Sequence, residues 1–331
     1  CIRDRSWIDL NSHMSALFLT EQDVAALVDM STAVDVVREA FQQWADGKAM
    51  NVSRRRAKAP SIMLHSLSAG AEYLGYVGWK NYTTTRTAAR FHVAINDIDT
   101  GEMAAFIEAD YLGQLRTGAA SGVATDAMAR PESRTVGLFG TGKQARTQLE
   151  AVCAVRKIDY VEVYSREETR RVQFADEMTA RLDIEIEPSP DPADVAAEKD
   201  IVITATTSKD ALFPGDVLSK GAHLNLVGSN HLRKTEVDLK TIRQADVIVC
   251  DSIDQCQLEA GDFVEALETG VTDWNMMSEL KDVVAGKVTG RPAEESITLF
   301  KSVGLGLEDV ALAAEILKRA REQNMGELLP F

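Results

Sequence analysis

The chain has 331 residues, 36 of them basic and 51 acidic, for a formal net charge of −15. Hydrophobic residues make up 45% and charged residues 26%, which excludes a disordered chain, a collagen-like repeat and a disulfide-stapled mini-domain. The acidity argues against nucleic acid and anionic membrane surfaces, which demand a basic footprint, and no apolar run reaches the ~18 residues that span a bilayer.

At about 150 residues per domain the length suggests two domains. Residues 1–13 are polar and mixed, without the apolar core of a signal peptide, and read as a leader or tag. Glu21-Gln22-Asp23 opens a first helix. A second, capped by Ser31 or Thr32, carries Val34, Val37, Ala40, Phe41 and Trp44 at helical spacing and stops at Gly47. A basic patch follows at Arg54-Arg55-Arg56-Ala-Lys58. Runs at Ile62–Leu67, Tyr73–Trp79 and Ala89–Asn96 read as strands, and the turn at Asp97–Gly101 joins the last to Met103–Glu108 as a hairpin. A helix spans Ala109–Ala129, and Pro131 stops it. From there buried strands at Thr135–Phe139, Tyr160–Tyr164, Ile201–Ala205, His223–Val227 and Val247–Cys250 alternate with helices at Gly142–Val155 and Thr169–Ala180. That rhythm predicts an α/β fold with a parallel sheet covered on both faces. A last helix, Leu307–Gln323, follows the strand series and is expected to return to the first domain.

The sharpest motif is Gly137-Leu-Phe-Gly140-Thr141-Gly142-Lys143-Gln144-Ala145, a GxGxxA turn between a buried strand and a helix. Gly140 permits the tight turn, Gly142 lets backbone approach a pyrophosphate, and Ala145 lets the helix pack on the sheet. The helix N-terminus offers unpaired N–H groups to phosphate. The second strand ends at Tyr164-Ser165-Arg166, with no carboxylate at that corner to take a ribose 2′-hydroxyl. Ser165 and Arg166 suit a 2′-phosphate, so NADP is favoured over NAD.

The first domain offers Arg56, Lys80 and Arg116 as separated cations that can converge on a substrate. Arg116 sits among small apolar residues and needs an anionic partner: a substrate carboxylate, or a core carboxylate such as Asp110. His65 and His92 are read as core or surface histidines rather than proton relays. Cys1, Cys153, Cys250 and Cys256 form no CxxC pair and no zinc-spaced cluster. The expectation is free thiols, a cytoplasmic location and no metal.

These segments carry a resemblance. With Leu112-Gly-Gln-Leu-Arg116-Thr-Gly-Ala-Ala, the Gly137–Ala145 turn, Thr204–Ser208, Leu226–Asn230, Val249–Asp251 and Ser302–Asp309, the chain resembles the ornithine cyclodeaminase/mu-crystallin family from about Leu17 to Gly326. The resemblance implies a Rossmann doubly wound parallel sheet (131–307) inserted into an α+β substrate-binding and dimerisation domain (14–130 plus 308–331). It implies a homodimer that transfers hydride between NAD(P) and a small α-imino or α-amino acid. Arg56 and Arg116 resemble the carboxylate-binding arginines, and Lys80 the lysine beside the reacting carbon. Thr206, Gly228, Ser302, Val303 and Gly304 resemble residues of the cofactor cleft. Asn230 stands where cyclodeaminases of the family place an aspartate, and asparagine has neither charge nor basicity for a side-chain amine. A ketimine reductase or alanine-dehydrogenase-like activity is therefore expected. The alternatives are an amino-acid cyclodeaminase using catalytic NAD+, and a non-catalytic NADPH-dependent binder.

Overall fold

The computed structural model describes residues 16–330; the leader read at 1–13 lies outside them. The chain builds two sheets. The first takes strands β1 (Leu17–Leu19), β2 (Ala49–Lys58), β3 (Met63–Ala71), β4 (Tyr76–Thr84), β5 (Ala89–Asp97) and β6 (Met103–Glu108). The second takes β7 (Thr135–Phe139), β8 (Tyr160–Tyr164), β9 (Glu185–Pro188), β10 (Ile201–Thr204), β11 (His223–Leu226), β12 (Val247–Cys250), β13 (Ser278–Glu279) and β14 (Thr298–Lys301). The chain then runs through the helix Gly306–Gln323 and rejoins the first sheet as β15 (Glu327–Leu328), antiparallel to β1.

The second sheet has the order β13-β12-β14-β11-β10-β7-β8-β9, and every pairing in it is parallel. Its central strands β10, β11 and β14 are buried at each position, as strands covered on both faces must be. Strand order reverses between β7 and β10, which opens a crevice at their carboxyl ends. β14, in the middle of the sheet, is absent from the sequence reading. Its four residues end in a lysine, so the apolar run is too short to register.

The first sheet has the order β15-β1-β6-β5-β4-β3-β2. One face turns Ala69, Ala71, Val93, Ile95 and Ile107 into a core shared with the helices Met30–Ala45 and Gly306–Gln323. The helix Asp110–Met128 links the two sheets. It is buried at every position from Leu115 to Thr125 and packs between the helices Met30–Ala45 and Lys143–Val155. Small residues permit this: a Cβ on Gly118 would stand 2.4 Å from the Thr147 carbonyl oxygen.

Local details differ from expectation. The second helix is capped by Asp29, whose side chain accepts the Thr32 amide at 2.8 Å, and not by Ser31 or Thr32. The basic patch is itself a strand, β2, whose charges concealed its alternation.

Candidate active site

A cleft of about 420 Å³ lies between the first sheet and the crevice of the second. Three buried cations reach it from three elements. Lys80 comes from β4 and Arg116 from the helix Asp110–Met128, and the third is Arg54 from β2. All three are buried, at 2%, 7% and 5% exposure. Buried cations need partners, and each has a buried carboxylate. Lys80 Nζ donates to Asp309 Oδ1 at 2.7 Å. Arg116 donates from Nε to the same oxygen at 3.1 Å and from Nη1 to Glu308 Oε2 at 2.8 Å. Arg54 Nη1 donates to Glu259 Oε2 at 2.5 Å, and its Nη2 to the Val303 carbonyl oxygen at 2.8 Å. Asp110, the core partner considered for Arg116, instead pairs with Lys143 at 2.5 Å.

Burial pulls the Lys80 ammonium down to about 8, helped by Arg116 and opposed by Asp309. The amine thus exchanges a proton near neutrality while remaining hydrogen-bonded. Space for it is made by Gly113, where a Cβ would stand 2.5 Å from Nζ. Beside Lys80, Tyr82 and Phe91 form one wall. Tyr82 stacks on His65 at 4.2 Å and on Phe91 at 5.0 Å across three neighbouring strands. Burial, with Arg56 and Arg54 nearby, lowers His65 to about 4. His65 is therefore a neutral ring. His92 lies outside the cleft, stacked on Phe106 at 5.2 Å.

The glycine-rich turn forms the opposite wall. Gly140 has φ +111°, which L side chains rarely adopt. Gly142 is the N-cap of the helix Lys143–Val155 and lacks a side-chain cap bond; a Cβ there would meet nothing within 4 Å. The turn thus leaves both open space and uncapped amides, a cradle that fits a pyrophosphate. Beyond it, a second cavity of about 250 Å³ is lined by Gly140, Thr141, Tyr164, Ser165 and Arg166, together with Glu167. Glu167 is paired with Arg170 at 2.8 Å, and Ser165 Oγ donates to the Glu167 carbonyl oxygen at 3.1 Å.

Two buried carboxylates, Glu236 and Asp251, hold the loops of the crevice. Glu236 accepts from Thr204 Oγ1, from the Thr206 amide and hydroxyl, and from the amides of Gly228 and Ser229. Asp251 Oδ2 accepts from Ser302 Oγ at 3.0 Å and from the amides of Val303 and Gly304 at 2.7 Å each.

The sequence matches the profile of the ornithine cyclodeaminase/mu-crystallin family over residues 14–324. The chain belongs to this family. It is 30% identical over 325 residues to a Δ1-pyrroline-2-carboxylate reductase of Bacillus cereus, covering 95% of this chain and 100% of that one. Its fold matches the Δ1-pyrroline-2-carboxylate reductase of Thermococcus litoralis in complex with NADH and L-proline. The TM-score is 0.91 and the identity 32%, over 95% of this chain and 100% of that one. It also matches an archaeal alanine dehydrogenase dimer with bound NAD, at TM-score 0.90 and 30% identity over 96% and 100% of the two chains.

Set in this family fold, most of the residues singled out from sequence converge. Lys80, Arg116, Asn230, Gly142, Lys143, Gln144, Thr206, Gly228, Ser302, Val303 and Gly304 all line the main cleft. Ala145 is buried beneath the turn. Arg56 does not line the cleft; Arg54 does. Arg56 Nε donates to His65 Nδ1 at 3.2 Å, and its guanidinium reaches Glu259 from the outer side at 2.5 Å. Residues two apart on a strand share a face, so alternation could not separate the two arginines. Depth under the Val303–Gly304 loop does. Glu259, Glu308 and Asp309 were missed as site residues because their signal is pairing across about 200 residues of sequence.

Proposed function

We propose that this protein is an NAD(P)-dependent oxidoreductase that reduces a small α-imino acid to the α-amino acid. Convergence of Arg54, Lys80 and Arg116 opposite the glycine-rich turn carries the reading. A nicotinamide cofactor held by Gly140–Ala145, Thr206 and Gly228 supplies or accepts the hydride. The chain's own residues do the rest. Arg54 and Arg116 attract the substrate carboxylate; among the described residues Arg116 Nη2 has no hydrogen-bond acceptor, which leaves a donor for it. Such clamping fixes the C=N carbon and removes orientational freedom. Lys80 Nζ, titrating near 8, gives the proton that the nitrogen requires. Tyr82 and Phe91 shelter the substrate's apolar side. Asn230 orients substrate or water.

The substrate domain is assigned to 14–130 plus 308–331 and the cofactor domain to 131–307. NADP is preferred, because Ser165 and Arg166 line the outer cavity while Glu167 is engaged by Arg170. The protein is a homodimer through the outer face of the first sheet. There Met50, Val52 and Val77 stand 58%, 40% and 46% exposed, beside the aromatic cluster of Phe18, Trp79 and Phe106. A cytoplasmic location is supported by the free thiols of Cys153, Cys250 and Cys256. Among the described residues no helix is long and apolar enough to cross a membrane.

The cyclodeaminase alternative lacks a group for the side-chain amine. Asp110 is the one carboxylate among the residues lining the cleft, and it is tied to Lys143. The test is NADPH consumption with Δ1-pyrroline-2-carboxylate, run beside NADH and beside pyruvate with ammonia. Stoichiometric NADPH oxidation supports the proposal. Ammonia release from L-ornithine without cofactor consumption would replace it with a cyclodeaminase, and cofactor binding without turnover with a binder.

A further inference from the structure

The cations of the cradle are already engaged by resident carboxylates. Arg54, Lys80 and Arg116 face Glu259, Glu308 and Asp309, with Arg56 on the outer oxygen of Glu259. A substrate carboxylate adds a fourth negative charge beside these buried groups, which is costly unless something compensates. The three resident carboxylates differ in how well they are held. Glu259 meets Arg54 on one oxygen and Arg56 on the other. Asp309 Oδ1 is shared by Lys80 and Arg116, although its Oδ2, too, is buried without a hydrogen bond. Glu308 is 1% exposed and has a single partner, Arg116 Nη1, while its Oε1 is buried without any hydrogen bond. Its partner is also the guanidinium that the substrate carboxylate must engage.

We propose that Glu308 is the proton-accepting counter-charge of the substrate cradle: ionised, it holds Arg116 Nη1; when a substrate carboxylate docks, Glu308 takes a proton from solvent and yields that N–H to the ligand. The inference rests on the carboxylate cradle proposed above. The balance is one carboxylate bound and one proton taken up, with the reverse on product release. Charged groups around Glu308 come from every side. Arg116 lies on the helix Asp110–Met128, Asp309 beside it on its own helix, Asp251 after β12, Lys80 on β4, and Arg54 on β2 with Glu259. Burial, against the pull of Arg116 and with the push of Asp251 and Asp309, raises Glu308 to about 7 in the free protein. Glu308 is a positioning residue. It acts through Arg116 rather than on the reacting atoms.

The probe is pyrrole-2-carboxylate, a flat carboxylate with no reducible imine, titrated calorimetrically into the NADPH-bound protein in phosphate and in Tris. Buffer dependence of the heat reads protons taken up. At pH 7, where Lys80 is already mostly protonated, the expected uptake at Glu308 is about 0.5 proton per site. From pH 7 to 8 the wild-type Kd should rise about fivefold more than that of Glu308→Gln. Glu308→Gln should bind the probe at least as tightly as wild type at pH 8, and its uptake at pH 7 should fall to the small share of Lys80. A merely structural glutamate would instead give weaker binding in Glu308→Gln with the pH slope unchanged, and that result overturns the proposal. So does wild-type binding without proton uptake, a measurement that stands even if the variant fails to fold. Absence of binding at any pH from 6 to 8 would sink the carboxylate cradle itself, and this inference with it.

Discussion

Lys80 shows how a single residue acquires chemistry from its surroundings. Its pKa is drawn to about 8 chiefly by burial, so the protonated form prevails below that pH and the free amine above it. Reduction needs the proton, and the reverse oxidation needs the free amine. The reductive kcat should therefore fall as pH rises through about 8, and the oxidative kcat should rise over the same interval, as steady-state pH profiles in both directions will show. Lys80→Ala should lower kcat by about 10²–10⁴-fold, the usual worth of a positioned general acid, with cofactor affinity by fluorescence titration unchanged. Arg116→Lys loses the fork that meets Glu308 and Asp309 together. A charge-assisted bond is worth about 1.5–3 kcal/mol, so KM for the imino acid should rise about 10- to 100-fold.

At the scale of elements, two glycines a turn of chain apart in function make a clean contrast. Gly142 faces open space at the mouth of the helix Lys143–Val155, so a Cβ there meets nothing. Gly142→Ala should keep the fold, at a cost of about 1 kcal/mol for the poorer N-cap, while weakening NADPH binding by about tenfold or more, because it fills the ground where backbone must approach phosphate. Gly118 is the opposite case. Its Cβ would collide with the Thr147 carbonyl where two helices cross, so Gly118→Ala should cost about 1–3 kcal/mol, read from denaturant unfolding. Elements that obey one strong pattern were legible. β7, β8 and β12 run as the sequence reading placed them, because each is a short apolar strand bounded by clear turns. β2 was not, since its arginines pair with Glu259 far along the chain and no local pattern signals that they are inside.

Across the whole molecule, ion pairs span the two sheets. Arg54 on β2 meets Glu259, which follows β12, and Lys80 on β4 meets Asp309 at the start of the returning helix. Removing one partner leaves an uncompensated buried charge. Glu259→Ala should destabilise the fold by about 3–5 kcal/mol, measured by urea unfolding, although Glu259 does not line the cleft. The exposed apolar face of the first sheet predicts a particle of about twice the 36.2 kDa chain mass by sedimentation. Val77→Asp, in the middle of that face at 46% exposure, should shift it to the monomer.

The sequence by itself determined the parallel sheet, the glycine-rich turn and two of the three buried cleft cations. Those features depend on local signals: strand length, the steric demands of a turn, and a charge set among small residues. Tertiary structure alone decided that Arg54, not Arg56, enters the cleft, and that β14 completes the centre of the sheet. It also decided that Glu308 and Asp309 sit against Arg116 and Lys80. Each of these is a relation between segments remote in the chain. Burial and ion pairing are set by what folds against a residue, and one-dimensional spacing carries no record of that.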